Sequence, residues 1–272
     1  AFAIDASPAC PLLIAANRDE DHQRPTAPLH RWHLDDGTEV LAGRDLRDGG
    51  TWMGIGMQGR IAMLTNVRSA QPERGQRSRG ELVARWLQGA PDADALCAAI
   101  DPATYAGFNL VVGDLRHRTW AWIGNRDPHR PHQPQTPRLH TRPIGAGVHT
   151  VSNASLNTPW PKAQRLNSSI QAALARLDDA DAWQAPLIDT LADTRLAEPH
   201  ELPATGVPTD VEHALSSPFV RMPQRAYGTR SSTLLRWHAD GRLQVDEWTH
   251  EPGSAVPLFA PPTRRRDWLG VP

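Results

Sequence analysis

Short apolar runs of strand length, grouped between helical stretches, constrain this chain more than any other feature. Residues 1–4, 12–17, 39–42, 51–57 and 60–67 are such runs, separated by Gly, Asp and Pro, the pattern of strands bounded by turns. Residues 51–67 read as a hairpin turning at Gln58-Gly59, with Gly59 suited to a positive φ. A helix is expected at 79–87, where Leu82, Val83, Trp86 and Leu87 fall at helical spacing, and another at 92–100. Strands resume at 108–113 and 119–124. The Pro- and His-rich stretch 127–143 must be loop or sheet edge, since Pro cannot donate to a ladder, and 148–152 is a further short strand. The clearest helix spans 161–177, with Pro in its first turn and Leu166, Ile170, Leu174 and Leu177 along one face. A second helix near 186–192, a loop-like region and a hairpin of 226–238 with 242–248 follow; the Pro-rich tail from about 252 is expected to be irregular. Strand groups alternating with helix pairs predict an α+β domain, two mostly antiparallel sheets with helices outside. No repeat or linker divides residues 1–272, so one domain is expected.

Charge narrows the partner. The 30 acidic and 29 basic residues nearly cancel and form no long block, which argues against a surface that tracks nucleic acid. A small-molecule substrate or ligand is expected instead. The basic residues are almost all Arg, with Lys162 the only lysine. Cys10 and Cys97 belong to no C-x-x-C spacing, so neither a disulfide framework nor a zinc cluster is implied. No apolar run approaches a membrane span and no secretion signal is evident; a soluble cytoplasmic protein is the expectation.

Chemistry is expected first at Asn17-Arg18-Asp19-Glu20, directly after the apolar run Leu12-Leu13-Ile14-Ala15-Ala16. Side chains alternate faces along a strand, so Arg18 and Glu20 point one way and Asn17 and Asp19 the other. A surface salt-bridged turn is the plain alternative. Three further segments end strands with polar groups: Leu64-Thr65-Asn66-Val67-Arg68, Val151-Ser152-Asn153-Ala154-Ser155 and Tyr227-Gly228-Thr229-Arg230-Ser231-Ser232. With Ala42-Gly43-Arg44-Asp45 and Gly49-Gly50-Thr51-Trp52-Met53-Gly54, they resemble the NRDE family, named after its tetrapeptide, whose eukaryotic relatives are called transport and Golgi organisation proteins. The resemblance runs from Leu12 through Arg230.

That resemblance implies a four-layer αββα sandwich like that of the N-terminal nucleophile hydrolases. Family members usually open Met-Cys, a few residues ahead of where this chain begins; removal of Met exposes a Cys whose α-amine can take its thiol proton. The numbered chain opens Ala1-Phe2-Ala3-Ile4 and lacks that Cys, and Cys10 is read as structural. By likeness to bile-salt hydrolases and penicillin V acylases, Arg18 would favour the thiolate and bind the acyl-side oxygen. Asp19 would hold the α-amine, Asn66 would donate to the oxyanion, Asn153 would orient the amine or complete the anion site, and Arg230 would balance and help hold Asp19. The implied activity is cleavage of a non-peptide C–N bond without metal or organic cofactor.

Each candidate has a plainer reading. Asn66 can bridge strand ends, Asn153-Ala154-Ser155 also matches a glycosylation acceptor, and Arg230 can be a structural partner of Asp19 or Glu20. Arg44-Asp45 and Asp48-Gly49-Gly50 read as a paired turn. Trp52, Trp120, Trp122 and Trp160 can line a pocket or fill a core. His129, His132 and His140 lack a ligand spacing. The rival function is a binding or trafficking protein with haem as its ligand, held non-covalently because no C-x-x-C-H motif is present, with Tyr227 as the nearest candidate ligand.

Overall fold

A computed structural model describes residues 1–70, 75–179, 181–251, 259 and 264–270. The first hairpin pairs β1 (Phe2–Ser7) with β2 (Cys10–Asp21); β3 (Thr26–His33), β4 (Glu39–Asp45), β5 (Met53–Gly56) and β6 (Arg60–Asn66) follow. Two helices, α1 (Gly80–Leu87) and α2 (Ala93–Ala98), lead to β7 (Phe108–Asp114), β8 (Thr119–Gly124), β9 (His140–Pro143) and β10 (Gly147–His149). Helices α3 (Pro161–Leu174), α4 (Ala185–Leu191) and α5 (Thr209–Ala214) precede β11 (Arg221–Met222), β12 (Tyr227–Trp237), β13 (Arg242–Thr249) and β14 (Arg264–Gly270).

The strands form two antiparallel sheets. One has the order β10-β1-β2-β12-β13-β14, with β11 against β12; the other runs β3-β4-β5-β6-β7-β8-β9. Alternation along each strand gives each sheet two apolar faces, and three cores result. Phe2, Ile4, Leu12, Ile14 and Val245 of the first sheet meet Leu41, Ile55, Ile61 and Val111 of the second. Outside the second sheet, Leu82, Val83 and Trp86 of α1 and Leu96 of α2 cover Val40, Ala62 and Leu110. Outside the first, Ile170 and Ala173 of α3 and Leu187 and Leu191 of α4 cover Ala3, Leu13 and Leu234. The layer order is therefore αββα.

The hairpin turn at Gln58-Gly59 forms as expected, with Gly59 at φ +83°, and 140–143 of the Pro-rich stretch is the edge strand β9. Three elements differ from the sequence reading. Strand β3 is hidden in the sequence because Pro28 and alternating His, Arg and Trp obscure it; it lies at a sheet edge, where the register shifts between Ala27 and His30 and Pro28 need not donate. Helix α5 lies in the stretch expected to be loop. The tail is not irregular throughout: Arg264–Gly270 pairs with β13 as strand β14. Its Arg264 and Arg266 Nε atoms donate to Oδ1 of Asp246 at 2.8 and 2.6 Å, and Asp246 is fully buried. Charge pairing, which leaves no apolar alternation, holds that strand. The remaining residues of the expected irregular tail lie outside the described ones.

One buried pair of titratable groups sets an acid response. His250 sits against Phe219 and Phe259, with ring centroids at 5.0 and 5.3 Å and its Nε2 2.8 Å from Ser232 Oγ. Burial lowers its pKa to about 4. The folded state holds the ring neutral while the unfolded chain protonates it near pH 6.5. Stability from His250 is thus complete above about 6.5 and is lost as pH falls toward 4, an effect of roughly 2–3 kcal/mol. Glu247 has the opposite sign: burial raises its pKa to about 7, so its contribution is complete below about 4.5 and is lost as pH rises through 7. Because the two contributions offset each other between about pH 4.5 and 6.5, the test is the difference between the parent and His250→Gln in urea unfolding from pH 7.5 to 4: the parent's advantage should shrink by roughly 2–3 kcal/mol as pH falls, and parallel curves would mean that His250 carries none of it.

Candidate functional site

A cleft of about 1280 Å³ opens between the sheets at the carboxyl end of β2, where Ala1 also lies. Four of the five expected site residues line it: Arg18, Asp19, Asn66 and Asn153. Ala1 lines the cleft beside β2, its nitrogen donating to Ala15 O at 2.8 Å.

The tetrapeptide alternates. Arg18 and Glu20 share a face, with Nη2 of Arg18 3.7 Å from Oε2 of Glu20. The Arg18 guanidinium lies over the Trp52 ring, 4.1 Å from its centroid, which places Trp52 in the cleft wall while Trp120 and Trp122 fill the core between the sheets. Arg18 is 9% exposed and its Nη1 has no hydrogen-bond partner among the described residues, an unmet donor at the cleft. Asn17 turns to the helical layer and donates to Leu191 O and Pro218 O, both at 2.9 Å. Asp19 accepts from Thr229 Oγ1 at 2.6 Å. Burial pushes the Asp19 carboxyl up from the ordinary range, opposed by the charges of Lys162, Arg68 and Arg18.

Arg230 is a correction. The pairing of β2 with β12 shifts between Thr229 and Ser231, opposite Asp19 and Arg18, so Arg230 is the extra residue of a bulge and its side chain leaves the register. Its Nη1 donates to the carbonyls of Asp21 and Arg24 at 2.8 and 3.0 Å. Thr229 takes the expected place beside Asp19.

Asn66 and Asn153 are brought together from strands and loops 87 residues apart. The Asn153 side chain donates to Asn66 O at 3.0 Å, and Arg68 N donates to Asn153 O at 2.8 Å. Asn66 itself is exposed at the end of β6, and its carboxamide makes no hydrogen bond among the described residues. Ala154 and Ser155 of the glycosylation-like triplet are buried. Arg68 forms a buried ion pair with Glu212 of α5 and lies over Trp160 at 4.8 Å.

Motif reasoning misses Lys162, although a lone lysine among 29 basic residues is a signal the sequence carries. It occupies the first turn of α3, is 8% exposed and lines the cleft. Desolvation lowers its pKa to about 8, with Asp19 opposing the shift. Cys10 lies in the helix-covered core outside the first sheet, its Sγ donating to Leu12 O at 3.2 Å and its thiol pushed up to about 11 by burial. Tyr227 lines the cleft and its hydroxyl donates to Asp19 O at 3.3 Å. His132 stacks on Trp160. Among the described residues no three His, Cys, Asp or Glu side chains form a possible metal-ligand group, and no helix is long and apolar enough to cross a membrane.

These features define an αββα sandwich with a polar cleft at the strand ends between its sheets. The transport and Golgi organisation 2 family model matches residues 1–252, and the chain belongs to that family. A transport and Golgi organization protein 2 homolog from Bos taurus is 32% identical over 251 residues, covering 87% of this chain and 85% of the relative. The Homo sapiens homolog is 32% identical over 254 residues with the same coverage. Among solved structures, a Caenorhabditis elegans ortholog of N-acylethanolamine-hydrolyzing acid amidase is 10% identical with a TM-score of 0.44, covering 79% of this chain and 97% of its own. A mutant of conjugated bile acid hydrolase from Clostridium perfringens is 9% identical with a TM-score of 0.46, covering 99% of this chain and 91% of its own.

Proposed function

We propose that the cleft is the active site of an amidohydrolase that cleaves a non-peptide C–N bond by acyl transfer to a Cys joined ahead of Ala1, then to water. The observation that carries this reading is the meeting of Ala1, Arg18, Asp19, Asn66 and Asn153 in one cleft. In the forward step the thiolate sulfur bonds to the acyl carbon while the α-amine holds the thiol proton. The oxygen that gains negative charge takes a hydrogen bond from the Asn66 carboxamide, which lines the cleft and makes no other hydrogen bond among the described residues. Collapse breaks the C–N bond, and the proton passes to the departing amine. Water then attacks the thioester and releases the acid. Arg18, with an unmet Nη1 and a guanidinium over the Trp52 ring, favours the thiolate. Asp19, fixed by Thr229, is the group offered to the α-amine.

The small-molecule partner is the acyl amide. Haem draws less support: among the described lining residues there is neither His nor Cys, and the Tyr227 hydroxyl is already committed to Asp19 O.

The test uses the chain extended by a Cys ahead of Ala1. With a panel of acyl amides under single-turnover conditions, intact mass should show a transient acyl adduct, lost in the Cys→Ala protein; no adduct and no turnover with any member of the panel overturns the reading. Arg18→Ala should move the pH midpoint of Cys alkylation upward by about one unit, because the neighbouring positive charge no longer favours the thiolate. A profile that overlays the parent makes Arg18 structural.

A further inference from the structure

We propose that Lys162 is a second reactive centre of the cleft, an amine that condenses with the carbonyl group of an aldehyde or keto ligand to form an imine. Lys162 follows Pro161 at the start of α3, a fourteen-residue helix, and faces the cleft from the layer outside the first sheet. Buried lysines are ordinarily paired, yet among the described residues Lys162 makes no hydrogen bond and no ion pair within 4 Å. The charged groups near it are Asp19 from β2, Arg68 after β6 and Glu212 from α5. Glu212 is occupied by Arg68 and by Thr205, whose backbone nitrogen donates to Oε1 at 3.1 Å. Burial, the Arg68 charge and the positive end of the α3 dipole disfavour the ammonium form, against the support of Asp19 and, more weakly, of Glu212. A pKa of about 8 leaves a fraction of free amine at neutral pH that an ordinary lysine does not have.

The neighbouring carboxyl suits the chemistry. The free amine nitrogen adds to the carbonyl carbon, and the carbonyl oxygen takes up a proton to give a carbinolamine. Asp19, whose carboxyl burial keeps more protonated than an exposed one, donates a proton to the hydroxyl. The C–O bond breaks, water departs, the C=N bond forms, and the remaining nitrogen proton passes to the Asp19 carboxylate, which is thereby restored. No oxidant or reductant is needed, and water is the only other product. This reactivity needs no residue ahead of Ala1, although it shares Asp19 with the acyl-transfer reading.

The experiment incubates the protein with glyoxylate and cyanoborohydride at pH 7.4 and follows the reduced adduct by proteolysis and mass spectrometry. With one lysine in the chain, the only other primary amine is the amino terminus, which is scored on its own peptide. The Lys162 peptide should be labelled more than about tenfold faster in the folded protein than in the same protein in urea, because each pKa unit is tenfold in free amine. Asp19→Asn, with unchanged circular dichroism, should slow that labelling. Equal rates in folded and unfolded protein, or labelling confined to the amino terminus, overturns the proposal. The folded-to-unfolded ratio of the parent protein decides it even where the Asp19 variant does not fold.

Discussion

Asn66→Ala, made in a chain extended by a Cys ahead of Ala1, is expected to lower turnover of a cleaved acyl amide by about 100-fold or more, with little change in stability. The size follows from what the carboxamide does in each state. In the free protein it is exposed and makes no hydrogen bond among the described residues, so its removal strands no partner and opens no cavity. On the proposed acyl-transfer reading it donates to the developing oxyanion in the transition state, and loss of one such donor costs about 3 kcal/mol of barrier. The kinetic signature is a fall in both kcat and kcat/KM with KM nearly constant, since a ground-state contact would raise KM instead. Asn66→Asp provides a control of matched shape, which should be at least as slow because it replaces a donor by an acceptor. An Asn66→Ala protein within a few-fold of the parent removes Asn66 from the mechanism and leaves the bridging role its backbone already fills through Asn153.

The architecture was legible because burial imposes a period. Runs such as Leu12-Leu13-Ile14-Ala15 and Leu110-Val111-Val112 must be strands covered on both faces, and Leu82, Val83, Trp86 and Leu87 must be one helical face. What escaped was held by other forces. Strand β14 is fixed by two arginines on buried Asp246, a contact that only the folded register reveals. Strand β3 contains a proline that an edge tolerates and a central strand does not.

The site divides the same way. Arg18 and Glu20 on one face follows from strand geometry alone, and the four cleft residues are legible through their motifs. The failure at Arg230 has a local cause: one bulged residue reassigns the contact from Arg230 to Thr229, and sequence spacing cannot locate a bulge. Lys162 and Arg68 come from elements remote in the chain, and their meeting with Asp19 depends on how α3 and α5 close over the strand ends.

One ion pair, Arg68 with Glu212, ties α5 to the chain after β6, and Glu212→Ala is expected to cost about 3–5 kcal/mol of folding stability. Arg68 and Glu212 have side chains 7% and 4% exposed, so deleting the carboxylate leaves an uncompensated guanidinium in a site with little water. It also removes the acceptor of Thr205 N. A surface ion pair of the same geometry would be worth under about 1 kcal/mol, because solvent screens it; the burial decides the magnitude. The functional consequence follows from connectivity. Arg68 N holds Asn153 O, and Asn153 holds Asn66 O, so loosening Arg68 loosens both amides of the cleft. Replacing both charges together, Arg68→Met with Glu212→Leu, should recover most of the stability, since an apolar pair of similar volume carries no desolvation cost. At Lys162 the two replacements act against each other, since Arg68 opposes its ammonium form and Glu212 supports it. Urea unfolding of the two variants separates the cases: a Glu212→Ala loss under about 1 kcal/mol would mean that the pair is hydrated in solution, and the closure of α5 over the strand ends would then rest on packing alone.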